Sequence, residues 1–138
     1  MRSKRVSVLV CVGLLLGAVS AWAHHAFAAE FDVSKPIHFT GVVTKLELVN
    51  PHTWIHIDVK ESDGTVTSWM IEAGTPNVLL RRGFTKTSVA PGTEVIVDGF
   101  AAKDGSRRGS GRDLTLPGGR KLFIGATGAE GPEGEKKQ

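Results

Sequence analysis

Histidine is the residue type with the most uneven distribution in this chain of 138 residues. All five histidines precede residue 57, and two are adjacent at His24 and His25. If the mature protein begins at His24, its free amine and imidazole can chelate one ion together, and further imidazoles complete the nitrogen-rich site that Cu(II) prefers. The sequence therefore predicts copper binding by His24, His25 and His52. The competing interpretation is that the two adjacent histidines form only a polar junction.

The amino terminus has the three parts of a secretory signal peptide. Cations within residues 1–5 precede an apolar stretch over residues 6–19, and Ala21-Trp22-Ala23 is a typical cleavage site. The stretch is shorter than the roughly 20 residues needed to span a bilayer, so we expect no stable membrane anchor. Cleavage after Ala23 predicts a periplasmic or secreted protein that begins at His24. Cleavage after Ala21 would leave His24 third in the chain, and cleavage after Ala28 would remove both adjacent histidines.

Removal of the leader also changes the charge and the thiol content. Three of the 17 Lys and Arg residues and none of the 14 Asp and Glu residues lie in the leader, so the mature chain is formally neutral. Nucleic acid is therefore not an expected partner. The single cysteine, Cys11, leaves with the leader, which excludes disulfides and thiolate metal sites from the mature protein.

Alternation of apolar and polar residues predicts an all-β protein with one short helix. In residues 53–60, Ile55, Ile57 and Val59 face the interior while Trp54 faces outward. The predicted strands are Ile37–Val49, Thr53–Lys60, Thr65–Glu72, Glu94–Ala102, Asp113–Leu116 and Lys121–Ile124. Thr75 and Pro76 begin a predicted helix that ends at Gly83. The order β-β-β-α-β-β is that of the OB-fold, a small five-stranded barrel, with an open meander as the alternative.

The same pattern gives the boundaries and the details of the predicted domain. Residues 1–23 are the signal peptide, 24–36 an N-terminal arm, 37–124 the OB-like domain and 125–138 a disordered tail rich in Gly and charge. Gly41 is the expected site of a β-bulge. Trp69 and Ile71 share the interior parity, so both are predicted to be buried.

His52 is predicted to lie in a turn, because it follows Asn50-Pro51. His56 shares its parity, but four residues of strand span about 13 Å, so these two imidazoles do not bind one ion without a bend. The arm from Ala26 to Pro36 is long enough to fold back towards His52. Incidental structural roles are the competing interpretation for His38, His52 and His56.

Two other binding modes remain open. Arg107, Arg108 and Arg112 lie in a predicted loop over residues 103–112, and with Trp54 they form a candidate surface for an oligosaccharide or a polyanion. The competing interpretation is that this loop is only a solvated connection between two strands. The protein is alternatively an interaction subunit that binds a larger envelope complex. No sequence motif of a hydrolase, a zinc protease or a nucleotide-binding enzyme is present, so we predict a protein that is not an enzyme.

Several segments together resemble an uncharacterised bacterial family of small periplasmic proteins, known only as a domain of unknown function. These are Ala23-His-His-Ala-Phe-Ala-Ala-Glu-Phe-Asp32, Gly41-Val42-Val43, Asn50-Pro-His-Thr-Trp54, Asn77-Val-Leu-Leu-Arg-Arg-Gly83 and Ala102-Lys-Asp-Gly105. The resemblance covers residues 23 to 124. It implies a periplasmic location and a single domain, and it implies no activity, substrate or catalytic residue.

Overall fold

The computed structural model describes residues 26–126, which form one six-stranded sheet and one short helix. The elements are β1 (Phe31–Leu48), β2 (Thr53–Lys60), β3 (Val66–Ala73), α1 (Pro76–Arg81), β4 (Glu94–Ala102), β5 (Arg108–Thr115) and β6 (Lys121–Phe123). A helical turn over residues 26–30 leads into β1. Among these residues, no helix has both the length and the apolar composition that crossing a membrane requires.

Five of the strands are joined into a ring. The sheet order is β3-β2-β1-β4-β5-β6, and β3 also pairs with β5. All the pairings are antiparallel except that of β3 with β5, which is parallel and joins Met70 to Arg108, Ile71 to Gly109 and Glu72 to Ser110. This connectivity, with the helix between β3 and β4, confirms the predicted OB-like fold class. β6 extends β5 outside the ring.

The core fills the inside of the ring. Ile55, Ile57 and Ile71 have no exposed surface, as their alternation predicts, and they pack with Val97 and Leu114. Full burial of each such side chain contributes about 1.5 to 3 kcal/mol. Trp69 faces the same interior but is only half-buried, which corrects its predicted burial. It lies near the start of β3, where its ring stacks at 5.1 Å on Phe39.

The helix α1 begins as its sequence predicts. The side chain of Thr75 accepts a hydrogen bond from the main-chain nitrogen of Val78, and Pro76 occupies the first turn, where no intrahelical donor is lost. Gly83 has a φ of 86°, the left-handed conformation that commonly follows a helix. Leu79 is completely buried, so α1 adds to the core beside the carboxyl end of β3.

Three predicted details differ from the structure. β1 begins at Phe31 rather than Ile37, and the bulge in β1 lies between Val43 and Lys45 rather than at Gly41. Gly41 has a packing role instead, because a Cβ there would come within 2.5 Å of a methyl group of Ile57. Half of the predicted loop 103–112 also differs, because β5 begins at Arg108 rather than Asp113.

Glycine explains why the sequence of the first part of β5 is typical of a loop. Gly109 and Gly111 lack the side chains that favour strands, yet both are buried in the sheet. A Cβ on Gly111 would lie 2.6 Å from Ile124 and 2.8 Å from Ile71, and one on Gly109 would lie 2.6 Å from Ile37. The segment therefore needs glycine so that β5 can approach the packed side chains of its neighbours.

The closest approach involves Gly99 on β4, next to the irregular pairing with β5. A Cβ at this position would collide with the main-chain oxygen of Ser110, which cannot rotate away as a side chain can. We predict that Gly99→Ala lowers the free energy of unfolding by about 1 to 3 kcal/mol, the range for overpacked positions. Chemical denaturation measures the change. Thr40→Ala, at an exposed position on β1, is the control and should stay within about 0.5 kcal/mol of the parent. Equal stability of the two variants would contradict this account of ring closure.

Candidate functional site

A row of cross-strand neighbours runs over the outer face of the ring. Its members, one from each of β4, β5, β3, β2 and β1, are Phe100, Ser110, Glu72, Trp54 and Glu47. Directly paired residues project from the same face of a sheet and contact one another. The row therefore places one carboxylate on each side of the half-buried Trp54, Glu47 on β1 and Glu72 on β3.

His52 lies beside the centre of this row. It occupies the turn between β1 and β2, as predicted, directly after the cis peptide bond between Asn50 and Pro51. Its Nδ1 lies 3.0 Å from Oε1 of Glu72, and the two side chains are 39% and 15% exposed. The atoms are within ion-pair distance but are not aligned for a hydrogen bond, and the buried Nδ1 has no hydrogen-bond partner among the described residues.

Glu72 is electrostatically unusual among the carboxylates of residues 26–126. Its pKa is raised above the ordinary value of 4.5, mainly because burial disfavours the charged form. The charge of His52 acts in the opposite direction, Glu30 raises the pKa further, and Arg108 lowers it. Glu72 is thus a half-desolvated carboxylate with a second carboxylate nearby, an environment that favours an added cation.

The N-terminal segment reaches this region because it is held against β4. Phe27 packs its ring 5.6 Å from Phe31 and 6.1 Å from Phe100, the latter edge to face. Lys103 donates its main-chain N–H to the carbonyl of Glu30 over 2.9 Å and its side-chain ammonium to the carbonyl of Ala28. These contacts fix the helical turn 26–30 over the β4 end of the row, with the charge of Glu30 near Glu72.

The other two described histidines also face carboxylates, but in a different way. Nε2 of His56 lies 2.7 Å from Glu47, and Nδ1 of His38 lies 2.6 Å from Asp98, and both pairs have hydrogen-bond geometry. These imidazoles have a local structural partner, in agreement with the incidental roles considered for them. His52 differs because its nitrogen is buried against a carboxylate without that bond.

Glu47 provides a direct contrast to Glu72. Hydrogen bonds from Lys45 and then His56 lower its pKa below the ordinary 4.5. Its charged form is therefore favoured by folding, whereas the charged form of Glu72 is disfavoured. The same residue type, on the same outer row, responds oppositely to its surroundings.

The three arginines of the alternative surface are directed to different partners. Arg107 lies with its guanidinium 5.5 Å from the ring of Trp69, at the inner parity of β3. Arg108 contacts Asp104 at 3.4 Å, and Arg112 contacts Asp113 at 2.9 Å. Trp54 lies between Glu47 and Glu72 across the strands, and Arg108 also acts electrostatically on Glu72.

His24 and His25, the other predicted copper ligands, lie outside the described residues. Within residues 26–126, no group of three or more His, Cys, Asp or Glu side chains is arranged to hold a metal ion. Of the three predicted metal ligands, only His52 therefore lies within the described residues, where it faces the carboxylate of Glu72.

Glu72 and Glu30 were not predicted as site residues. The pairing of Glu72 with Trp54 could have been found by extending the predicted hairpin from its turn at Ser62-Asp63-Gly64, because a short turn sets the register of both strands. No comparable sequence signal indicates that the charge of Glu30 influences Glu72, since that influence depends on how the arm crosses β4.

Fold and site together define a small β protein with an OB-like ring and a histidine–carboxylate pair beside an N-terminal arm. The chain belongs to a family of unknown function, DUF6152, whose family model matches residues 11–112. This match confirms the resemblance to a domain of unknown function. No curated protein matches the chain.

The contrast between the two carboxylates predicts opposite effects of the same substitution. At about pH 7, Glu72→Gln should raise the thermal midpoint of the metal-free protein, because it removes a charge that burial disfavours. Glu47→Gln should lower the midpoint, because it removes a charge that folding favours. Differential scanning calorimetry measures both.

The pH dependence checks the cause. A raised carboxyl pKa contributes stability that is present below the ordinary 4.5 and is lost as pH rises through the folded pKa. A lowered one contributes stability that is present above 4.5 and is lost as pH falls through the folded pKa. The difference in thermal midpoint between each Gln variant and the parent should therefore shrink well below pH 4.5, where the carboxyl groups are protonated. Destabilisation by both substitutions at neutral pH would contradict the assigned electrostatics.

Proposed function

We propose that the mature protein is an exported, non-enzymatic binding module whose ligand is a transition metal, copper in the divalent state. His24 contributes its amine and imidazole, and His25 and His52 are the further ligands. Removal of the predicted signal peptide after Ala23 creates the amine. The proposal extends to a periplasmic or secreted location, where such a site would meet metal ions from outside the cytoplasm.

One observation carries the proposal: His52 faces Glu72 at 3.0 Å, and the N-terminal segment that leads to His24 and His25 is held against the neighbouring end of the same outer row. The charges of both His52 and Glu30 influence the pKa of Glu72. Phe27 and Lys103 hold that end in position. The predicted ligands are far apart in sequence, and the folded domain supports their convergence.

The chain length is compatible with a shared site. Glu30 follows His25 by five positions, and such a segment spans about 8 Å as a helix and at most about 18 Å when extended. Covalent connection keeps the Cα of His25 about 3.8 Å from that of Ala26. His24 and His25 are thus tethered within reach of the region around Glu72.

The chemistry of the donors favours Cu(II). An amine and imidazoles are nitrogen ligands, and divalent copper binds such sites in tetragonal geometry more tightly than its first-row competitors. After cleavage the chain has no cysteine, so the thiolates that select Cu(I) are absent from it. The half-desolvated carboxylate of Glu72 adds negative potential that attracts a cation.

The surroundings of Trp54 support the metal over a polyanion. Glu47 and Glu72 flank this ring across the strands, and both repel phosphates or sulfates. Arg108 and Arg112 are paired with aspartates instead. A binding role rather than catalysis is supported by the absence of a recognisable catalytic motif in the sequence.

Copper titration of the processed protein tests the proposal. His52→Ala should weaken Cu(II) binding by about 100-fold or more, a larger loss than the 10–100-fold expected for an outer-shell partner. A variant with one extra residue before His24 should also bind more weakly, because the amine is displaced. Isothermal titration against a competing chelator measures the affinities.

His56→Ala and His38→Ala are the matched controls, since each removes an imidazole that is already hydrogen-bonded to a carboxylate. Both should bind copper like the parent. If the extended form binds as tightly as the processed form, the amine is not a ligand. If His52→Ala is without effect, the folded domain takes no part and the proposal is wrong.

A further inference from the structure

His52 presents its two ring nitrogens to different environments. Nδ1 is buried and lies 3.0 Å from Glu72, although 39% of the side chain as a whole is exposed. A ligand arriving from solution therefore cannot reach Nδ1 without displacing Glu72. Nε2 lies on the other side of the ring from the edge that Nδ1 turns towards Glu72, and it is not among the buried side-chain atoms that lack a partner in residues 26–126.

We propose that Glu72 is a positioning residue that fixes His52 in the tautomer protonated at Nδ1 and thereby leaves the lone pair of Nε2 free to bind a metal ion. The assignment concerns a residue and a nitrogen atom that the sequence alone does not indicate. For its effect on copper it rests on the proposed function, whereas the tautomer is a property of the metal-free protein.

Electrostatics selects this tautomer. A neutral imidazole has one nitrogen that carries a proton and one that carries a free lone pair. A nearby anion favours the tautomer in which the proton is on the nitrogen that faces it. With the proton on Nδ1, the ring dipole points its positive end at Oε1 of Glu72. With the proton on Nε2, a lone pair would face carboxylate oxygens at 3.0 Å in a half-buried setting, which is repulsive.

A hydrogen bond between Nδ1 of His52 and Oε1 of Glu72 requires realignment of the side chains and no shorter distance. The separation is already within hydrogen-bond range, and only the alignment falls short. Donation of the second ring N–H to a carboxylate is how metal-binding histidines are generally oriented, and it increases the basicity of the coordinating nitrogen. His56 shows the opposite choice, since it directs Nε2 to Glu47 at 2.7 Å.

The tautomer can be measured without any metal. Long-range proton–nitrogen NMR correlation at about pH 8, where an ordinary imidazole is neutral, distinguishes protonated from unprotonated ring nitrogens. The processed protein should show His52 protonated at Nδ1. Glu72→Leu should convert this to a mixture of tautomers, and Glu72→Asp should restore most of the original state. Glu47→Leu is the matched control and should leave the His52 signals unchanged.

Copper titration of the same variants measures the effect of Glu72 on metal binding. Glu72→Leu should weaken Cu(II) binding by about 10–100-fold, the usual cost of losing an outer-shell partner, while Glu47→Leu retains parental affinity. Rescue by Glu72→Asp separates positioning from a general loss of structure.

The outcomes distinguish the two ideas. If His52 is protonated at Nε2 in the parent, or if its tautomer is unchanged in Glu72→Leu, the positioning role is overturned whatever copper does. If copper binding survives Glu72→Leu but is lost in His52→Ala, the positioning role also fails and the proposed function stands. If the parent binds no copper while the tautomer responds to Glu72, the proposed function fails and the assignment to Glu72 stands.

Discussion

Ring closure at β5 is the constraint on which the rest of the structure depends. β5 must pair with β4 on one side and β3 on the other, and its central residues pass directly over the core. Only glycine permits this approach, because added methyl groups at Gly109 and Gly111 would enter space filled by Ile37, Ile71 and Ile124. The backbone hydrogen bonds of the closed ring replace a free sheet edge, which would otherwise invite pairing with other chains.

The closed ring also determines what its outer face can present. Because β3 and β5 are in register, Glu72 lies between the β2 side of the ring and the segment 26–30 that crosses β4. A carboxylate in this position is partly removed from water, which costs stability unless a cation or a donor compensates. His52, whose Nδ1 lies 3.0 Å away, is the nearest compensating partner described for this carboxylate, which connects Glu72 with His52 rather than with the packing of the core.

Much of the fold could be predicted from sequence because local patterns determine it. The alternation in residues 53–60 identifies β2 and its buried face, and Thr75 with Pro76 identifies the start of α1. The first part of β5 could not be predicted, because Gly109 and Gly111 are compatible with a strand only through their close packing against residues distant in sequence. The candidate site divides in the same way: the position of His52 in a turn follows from Asn50-Pro51 before it, whereas the influence of Glu30 on Glu72 depends on the tertiary path of the arm.

The pairing of β1 with β4 has a kinetic consequence. The ladder extends from Phe31 opposite Ala102 to Val42 opposite Glu94, so every pair joins distant parts of the chain. To form such contacts, the chain must first lose the conformational entropy of a large loop, and only then does it gain the favourable contact energy. Proteins rich in β structure and dominated by such contacts fold in milliseconds to seconds rather than microseconds. The half of the molecule that carries the N-terminal arm therefore becomes ordered only after the C-terminal strands have been made.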